Sequence, residues 1–300
     1  MEEEIRRSRE RISRRRALGL GGTIGLGALV TACTGSSPSR AGAAPSLSAS
    51  STAPSDVLAL LDEANTCVTA REETQGPYWF DVDSIRSDLR EDRPGTPLLL
   101  AVRAHDLSQC TNGSAPAAIP NSVVEIWHCD AGGVYSGFES ASQGGPGGGG
   151  PGGGGPGGDS PGGDSPGDGG SGETSDGSYS AGDAEASPTD DGTYLRGAQV
   201  ADRNGVVQFT TIYPGWYRGR TVHIHLKLHV DRKTVVTTQL YFDEAVNDAV
   251  FATSPYDAHT GRETRNEDDS IYDPSGLVAV RRTASGYLGV INVGVNVSAA

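Results

Sequence analysis

Two histidines stand two residues apart in the run Thr221-Val222-His223-Ile224-His225-Leu226-Lys227-Leu228-His229. The run is rich in β-branched and apolar residues, which predicts a strand. Strand alternation puts both imidazoles on one face, about 6.6 Å apart along the chain. Two imidazoles so placed can converge on one metal ion, or can simply be strand histidines facing water. His229 falls on the same face, but roughly 13 Å beyond His225 it is too far to share an ion. It reads as a surface or outer-partner residue. No Cys-x-x-Cys pair completes a zinc site, and no carboxylate stands at an obvious spacing for a two-histidine, one-carboxylate iron(II) site. The donor type that does occur nearby is tyrosine. Tyr217 lies just upstream, and Tyr135 ends the segment Trp127-His128-Cys129-Asp130-Ala131-Gly132-Gly133-Val134-Tyr135.

The elements that would position these groups are mostly strands. Strand-like runs cover 97–104, 122–128, 206–212, 221–230, 235–242 and 287–297. They are short, rich in Val, Ile, Thr and aromatics, and bounded by Gly, Asn, Asp and Pro. Asn204-Gly205 is a tight-turn signal. Only Ser55–Glu63 reads as a short helix. The pattern predicts an all-β, antiparallel β-sandwich with a short N-terminal helix. Between 143 and 191 the chain is a Gly-Pro array grading into Asp, Ser and Gly, which predicts a disordered insert within the domain. Removing it and the N-terminal segment leaves roughly 190 residues, enough for one domain with a real core. The net charge of −14 argues against nucleic acid as a partner, since phosphate binding needs clustered Lys and Arg.

The N-terminal region has the pattern of a targeting segment. Arg14-Arg15-Arg16 precedes a weakly apolar, Gly-containing stretch, as in a twin-arginine export signal. Val30-Thr31-Ala32-Cys33 then has the form of a lipobox, with Cys33 as the lipidated residue. The expected organisation is a signal over 1–33, a flexible Ser/Ala/Pro tether over 34–55, and one domain over 56–300 interrupted by the insert. The membrane is expected to be touched only through the lipid anchor. Outside the cytoplasm a disulfide is plausible, and the spacing favours Cys110–Cys129 on neighbouring strands.

With these residues in view, the sequence resembles the intradiol ring-cleavage dioxygenases. The resemblance runs from about Glu73 to Val297 without the insert, and looks closest to their exported bacterial branch. It rests on Thr74-Gln75-Gly76-Pro77-Tyr78, the Trp127-to-Phe138 segment, Tyr194-Leu195-Arg196-Gly197, Pro214-Gly215-Trp216-Tyr217, Arg220-Thr221-Val222-His223-Ile224-His225 and Thr237-Thr238-Gln239, in that order. It implies mononuclear non-haem Fe(3+) held by Tyr135, Tyr217, His223 and His225. It further implies a catecholic substrate cleaved between its hydroxyls by O2 to a muconate-type diacid. Tyr217 would leave the metal and accept a substrate proton, Arg220 would stabilise negative charge on the ring, and Gln239 would support the site from the neighbouring strand. Tyr78 and Trp216 would line the pocket mouth. Trp127 reads as a core aromatic and His128 as structural. Two alternatives are a surface-tethered, non-catalytic β-sandwich that binds polysaccharide or polyphenol through exposed aromatics, and a related site for zinc or copper.

Overall fold

A computed structural model describes residues 54–64, 67–110, 115–142, 173–175 and 177–297. The expected signal over 1–33 with Cys33, nearly all of the tether, and residues 143–172 of the insert lie outside them. Among the described residues no helix is long and apolar enough to cross a membrane.

Helix α1 covers Pro54–Glu63 and β1 covers Pro97–Asp106, followed by the two-residue β2 at Ala117–Ala118 and β3 at Val123–Trp127. A single turn, α2, spans Glu139–Ser142, and a small hairpin pairs β4 (Glu173–Thr174) with β5 (Ala184–Glu185). Strands β6 (Arg196–Val200), β7 (Val206–Ile212), β8 (His223–Val230) and β9 (Lys233–Tyr241) follow, then helix α3 (Glu244–Phe251), β10 (Ala279–Arg282) and β11 (Tyr287–Val295). One sheet runs β10-β11-β1-β2 with β7 also paired to β1, and the other runs β6-β3-β8-β9. The expected strands are all present. The expectation of a purely antiparallel sandwich needs one correction, because β1 and β11 pair in parallel, from Leu98 opposite Tyr287 to Asp106 opposite Val295. These strands are far apart in sequence, so no hairpin constrains their direction.

The two sheets enclose one core. Leu98, Leu100, Val102 and Ala104 from β1 meet Val124 and Ile126 from β3 and Ile224, Leu226 and Leu228 from β8. Each of these Leu, Ile and Val side chains contributes roughly 1.5–3 kcal/mol through burial. The alternate residues of the same strands face outward. On the first sheet α1 covers them, with Val57 and Leu61 beside Ala101, Leu288 and Val290 and with Asp62 Oδ1 and the Leu61 carbonyl accepting from Arg103. On the second sheet they are Glu125 and Trp127 of β3 and His223, His225, Lys227 and His229 of β8, and all are buried.

That outer face is roofed by loops, and part of the roof comes from the insert. The expectation of disorder over 143–191 fails from Glu173 onward, where the chain is folded. Gly and Asp dominate its composition, but a few side chains suffice to dock it. Asp183 accepts from Lys227 Nζ at 2.6 Å, and Tyr179 packs edge-on against His229 at 5.3 Å.

The expected Cys110–Cys129 disulfide is also corrected: Cys67 pairs with Cys110, and Cys129 is free and buried. The physical reason is topological. Cys110 follows β1 in the first sheet, whereas Cys129 follows β3 in the second, so the two are not on paired strands. The bridge instead ties the segment after α1 to the end of β1, closing a loop of 43 residues. Chain-entropy arguments assign such a loop about 4 kcal/mol. Denaturant unfolding is expected to show Cys67→Ser destabilised by roughly 2–4 kcal/mol. Reductant should lower the wild type to the same midpoint and leave the variant unmoved. Loss of the reductant sensitivity in Cys129→Ser, with Cys67→Ser keeping it, would reinstate the other pairing.

Candidate metal centre

Strand β8 carries His223 and His225 on its outward face, between β3 and β9. Trp127 of β3 lies opposite His225, and its ring stacks on the imidazole at 4.9 Å with a 3° interplanar angle. On the other side Gln239 of β9 lies opposite His225 and Tyr241 opposite His223. His223 Nδ1 lies 2.7 Å from the Thr221 carbonyl oxygen. A carbonyl only accepts, so Nδ1 carries the ring proton and Nε2 presents a lone pair. That nitrogen faces Tyr217 Oη at 3.1 Å, His225 Nε2 at 3.2 Å and Tyr135 Oη at 3.4 Å.

The two tyrosines come from two loops tied to each other. The loop after β3 turns at Asp130, whose Oδ1 accepts from the amides of Gly132 and Val134. The Asp130 carbonyl accepts from the Gly215 amide at 3.1 Å, which pins the Pro214–Tyr217 segment. Gly215 is required there, because any Cβ would overlap the Asp130 carbonyl. Gly76, at φ +71°, lets its loop pass close to His225; a Cβ there would stand 3.3 Å from Cε1 of that ring.

The donor set fits a hard metal ion. Donors bound about 2.1 Å from a common centre at right angles are about 3 Å apart, close to the 3.1–3.4 Å separations seen. The imidazoles are held neutral. Burial, reinforced by Arg220, lowers His223 to about 3, and burial followed by His223 lowers His225 well below its usual value. The phenols are held protonated. Burial pushes Tyr217 up to about 12 and Tyr135 well above the usual range. A cation would reverse that preference and take up phenolate oxygen. Among the described residues no cluster of three or more His, Cys, Asp or Glu side chains could hold a metal, so the centre depends on its phenols.

A charged network flanks the donors. Arg220 Nε donates to Asp269 Oδ2 at 2.9 Å and Nη2 to Gln239 Oε1 at 2.6 Å. Gln239 Nε2 donates to the Thr74 carbonyl at 3.0 Å, and Tyr241 Oη donates to Glu73 Oε2 at 2.7 Å. Burial raises Glu73 to about 7, against the opposing pull of the Tyr241 hydroxyl and Arg220. The structure thus brings six of the residues singled out in the sequence into one place: Tyr135, Tyr217, His223, His225, Arg220 and Gln239. Tyr78 joins them through its ring, 4.9 Å from that of Tyr135.

Trp216 does not. It is 7% exposed, stacks on His259 at 4.1 Å and donates its Nε1 proton to the His259 carbonyl. His128 is structural, bonded to the Cys129 carbonyl and to Thr211 Oγ1. His229 is buried between Thr234 Oγ1 at 3.0 Å and Glu125 at 3.4 Å, not on the surface. Asp269, Glu73 and Tyr241 had no distinguishing sequence signal; only Glu73 adjoins a motif, Thr74-Gln75-Gly76-Pro77-Tyr78.

The fold is similar to the solved structure of an intradiol ring-cleavage dioxygenase from Tetranychus urticae, with 26% identity over 77% of this chain and 95% of that one and a TM-score of 0.58. A second solved dioxygenase matches with 27% identity over 77% of this chain and 95% of that one and a TM-score of 0.59. No protein-family model and no curated protein sequence matches. The chain shares its architecture with intradiol ring-cleavage dioxygenases, which are oxidoreductases.

The raised Glu73 gives a pH signature. Its folded value of about 7 exceeds the ordinary 4.5, so the folded state holds the proton more tightly than the unfolded chain. The stabilisation is therefore full below about 4.5 and is lost as pH rises toward 7. Thermal melts of Glu73→Gln and wild type should lie close together near the acid end of that window. The variant should gain on the wild type up to the neutral end. A pH-independent gap would remove Glu73 as the titrating group.

Proposed function

We propose that this chain is an exported, mononuclear non-haem iron(III) dioxygenase that cleaves a catecholic ring between its two hydroxyls and incorporates both atoms of O2 into a muconate-type diacid. The observation that carries the reading is the convergence of two neutral imidazoles and two phenols on one point, within a fold shared with an intradiol ring-cleavage dioxygenase. Phenolate is a hard anionic donor that favours the ferric over the ferrous state.

Tyr135, Tyr217, His223 and His225 would hold the ion, which supplies the Lewis acidity and electron demand that make a bound catechol reactive toward O2. The remaining roles belong to the chain. Tyr135 is fully buried and wedged by Tyr78, whereas Tyr217 is only partly buried. Tyr217 is therefore the donor that can give way to substrate and accept a hydroxyl proton on its freed oxygen. Arg220 presents a fixed positive charge beside Tyr217, where negative charge develops on the ring. Trp127 keeps the His225 ring in plane and, with Tyr78, excludes water from the back of the site.

The Cys67–Cys110 bridge supports an oxidising destination, in line with the Arg14-Arg15-Arg16 signal and the Cys33 lipobox. A twin-arginine route carries folded protein, so the site would be assembled before export, and the protein would act tethered at the cell surface. The binding-module alternative lacks comparable support, since Trp216 is packed onto His259 and is not displayed.

Iron-loaded protein should be wine-red from tyrosinate-to-iron charge transfer. It should consume O2 with at least one of catechol, protocatechuate, hydroxyquinol and caffeate, giving a product with the mass of substrate plus both oxygen atoms. A colourless protein with full iron occupancy would sink the ligand assignment, and the absence of uptake with all four would sink the activity. Tyr217→Phe should lower kcat by roughly 100-fold while leaving the fold intact by circular dichroism. Undiminished turnover would remove Tyr217 as the proton acceptor.

A further inference from the structure

Asp269 reaches the centre from a stretch of chain that carries no motif. Its placement is nonetheless built. The Asn266 amide donates to Glu244 Oε1 at 2.9 Å, and Asn266 Nδ2 donates to the Phe242 carbonyl at 2.8 Å. Arg265 adds bonds to Glu244 and Asp248. The 3-10 turn over Asn266–Asp268 is thereby fastened to the start of α3, and Asp269 emerges from it with its side chain 2% exposed.

One oxygen of that carboxylate does two things. Oδ2 accepts from Arg220 Nε at 2.9 Å and from the Thr221 amide at 2.9 Å, while Oδ1 accepts from the Ile271 amide at 2.9 Å. Thr221 is held a second time, because its hydroxyl donates to Asn266 Oδ1 at 2.6 Å. The carbonyl of this doubly held residue takes the Nδ1 proton of His223. The guanidinium is likewise held twice, by Asp269 at Nε and by Gln239 at Nη2, which fixes its plane. A buried carboxylate needs partners for its charge, and this one finds them in the two groups on which Arg220 and His223 depend.

We propose that Asp269 is a positioning residue that sets the guanidinium of Arg220 and, through Thr221, the ring of His223 with a single carboxylate. The proposal rests on the reading of this centre as an iron site, and it divides the labour differently from a simple ion pair. An ion pair with Arg220 alone would leave His223 untouched. A clamp on both residues makes metal binding and turnover fail together. Outer partners of metal-binding histidines commonly change affinity or activity by about 10–100-fold when removed.

Asp269→Ala is the test, because it removes the Oδ2 that serves Arg220 and Thr221 together. In metal-free protein, NMR hydrogen exchange at the Thr221 amide and at Arg220 Nε should speed up, with the β8 core amides unchanged. Ferric affinity measured by chelator competition should weaken about 10–100-fold, and kcat should fall by a similar factor. On an Arg220→Lys background the same substitution should lower kcat less but weaken iron binding as much. Unchanged exchange at Thr221, or an affinity within about twofold of wild type, would overturn the proposal. Wild-type protein that binds no ferric iron would instead overturn the reading of the centre, and the metal-free exchange data would still decide the clamp. Should the alanine variant fail to fold, Asp269→Glu keeps the charge one methylene further out. It is expected to retain the Arg220 pair and release the Thr221 amide.

Discussion

The structure turns on one nitrogen. His223 gives its ring proton to the Thr221 carbonyl, so its Nε2 can only accept, and three groups crowd that single lone pair at 3.1–3.4 Å. One lone pair accepts one good hydrogen bond. The three approaching groups therefore compete for it, Tyr135 and His225 from buried positions and Tyr217 from a partly buried one. A cation would resolve the crowding, since every atom that points inward would then be a donor to it. Much else in the molecule reads as the means of keeping those atoms together: the Asp130–Gly215 link between the tyrosine loops, the Trp127 stack, and the Asp269 clamp.

That arrangement is imposed on a face of the sheet that would ordinarily be wet. Strand β8 sends Ile224, Leu226 and Leu228 into the sandwich and His223, His225, Lys227 and His229 outward. Buried imidazoles and an ammonium need both a roof and partners. Trp79 supplies part of each, with its ring 3.3 Å below Lys227 Nζ and its indole proton donated to Glu125. Tyr78, Phe138 and Ala186 close the apolar remainder around Tyr135. The end of the Gly-rich insert, from Glu173, belongs to this roof, which explains why so polar a stretch folds at all: its Asp183 has a buried lysine to neutralise.

How much of this was legible in the sequence depends on the range of the interaction. Gln239 was placed by the family resemblance, whereas strand alternation placed His223 and His225 together because it follows from local geometry. The strands themselves were readable for the same reason. Asp269, Glu73 and Tyr241 were not, because they meet the site through contacts between distant segments, and an isolated Asp or Glu in a loop carries no periodic signal. The disulfide failed for a related reason. Sequence proximity suggested Cys129 for Cys110, but the two follow strands in opposite sheets, and the partner lay in the unpatterned stretch after α1. The ordered end of the insert was hidden by composition, which averages over the few side chains that dock it.

Phenols also solve a problem that carboxylates would have created. Carboxylates ionise near 4 in ordinary surroundings. Two of them buried beside each other would impose repulsion and desolvation on the fold before any metal arrived. Tyr135 and Tyr217 are neutral in the folded chain because burial holds their protons. His223 and His225 are neutral for the same reason. The centre can therefore form as an uncharged, closely packed part of the fold, with Arg220 already neutralised by Asp269 at its edge. Charge enters only with a cation strong enough to displace phenolic protons. A weak Lewis acid gains little from such a site, whereas a trivalent ion gains two hard anionic donors at once. This selectivity is built into protonation equilibria that burial chiefly sets.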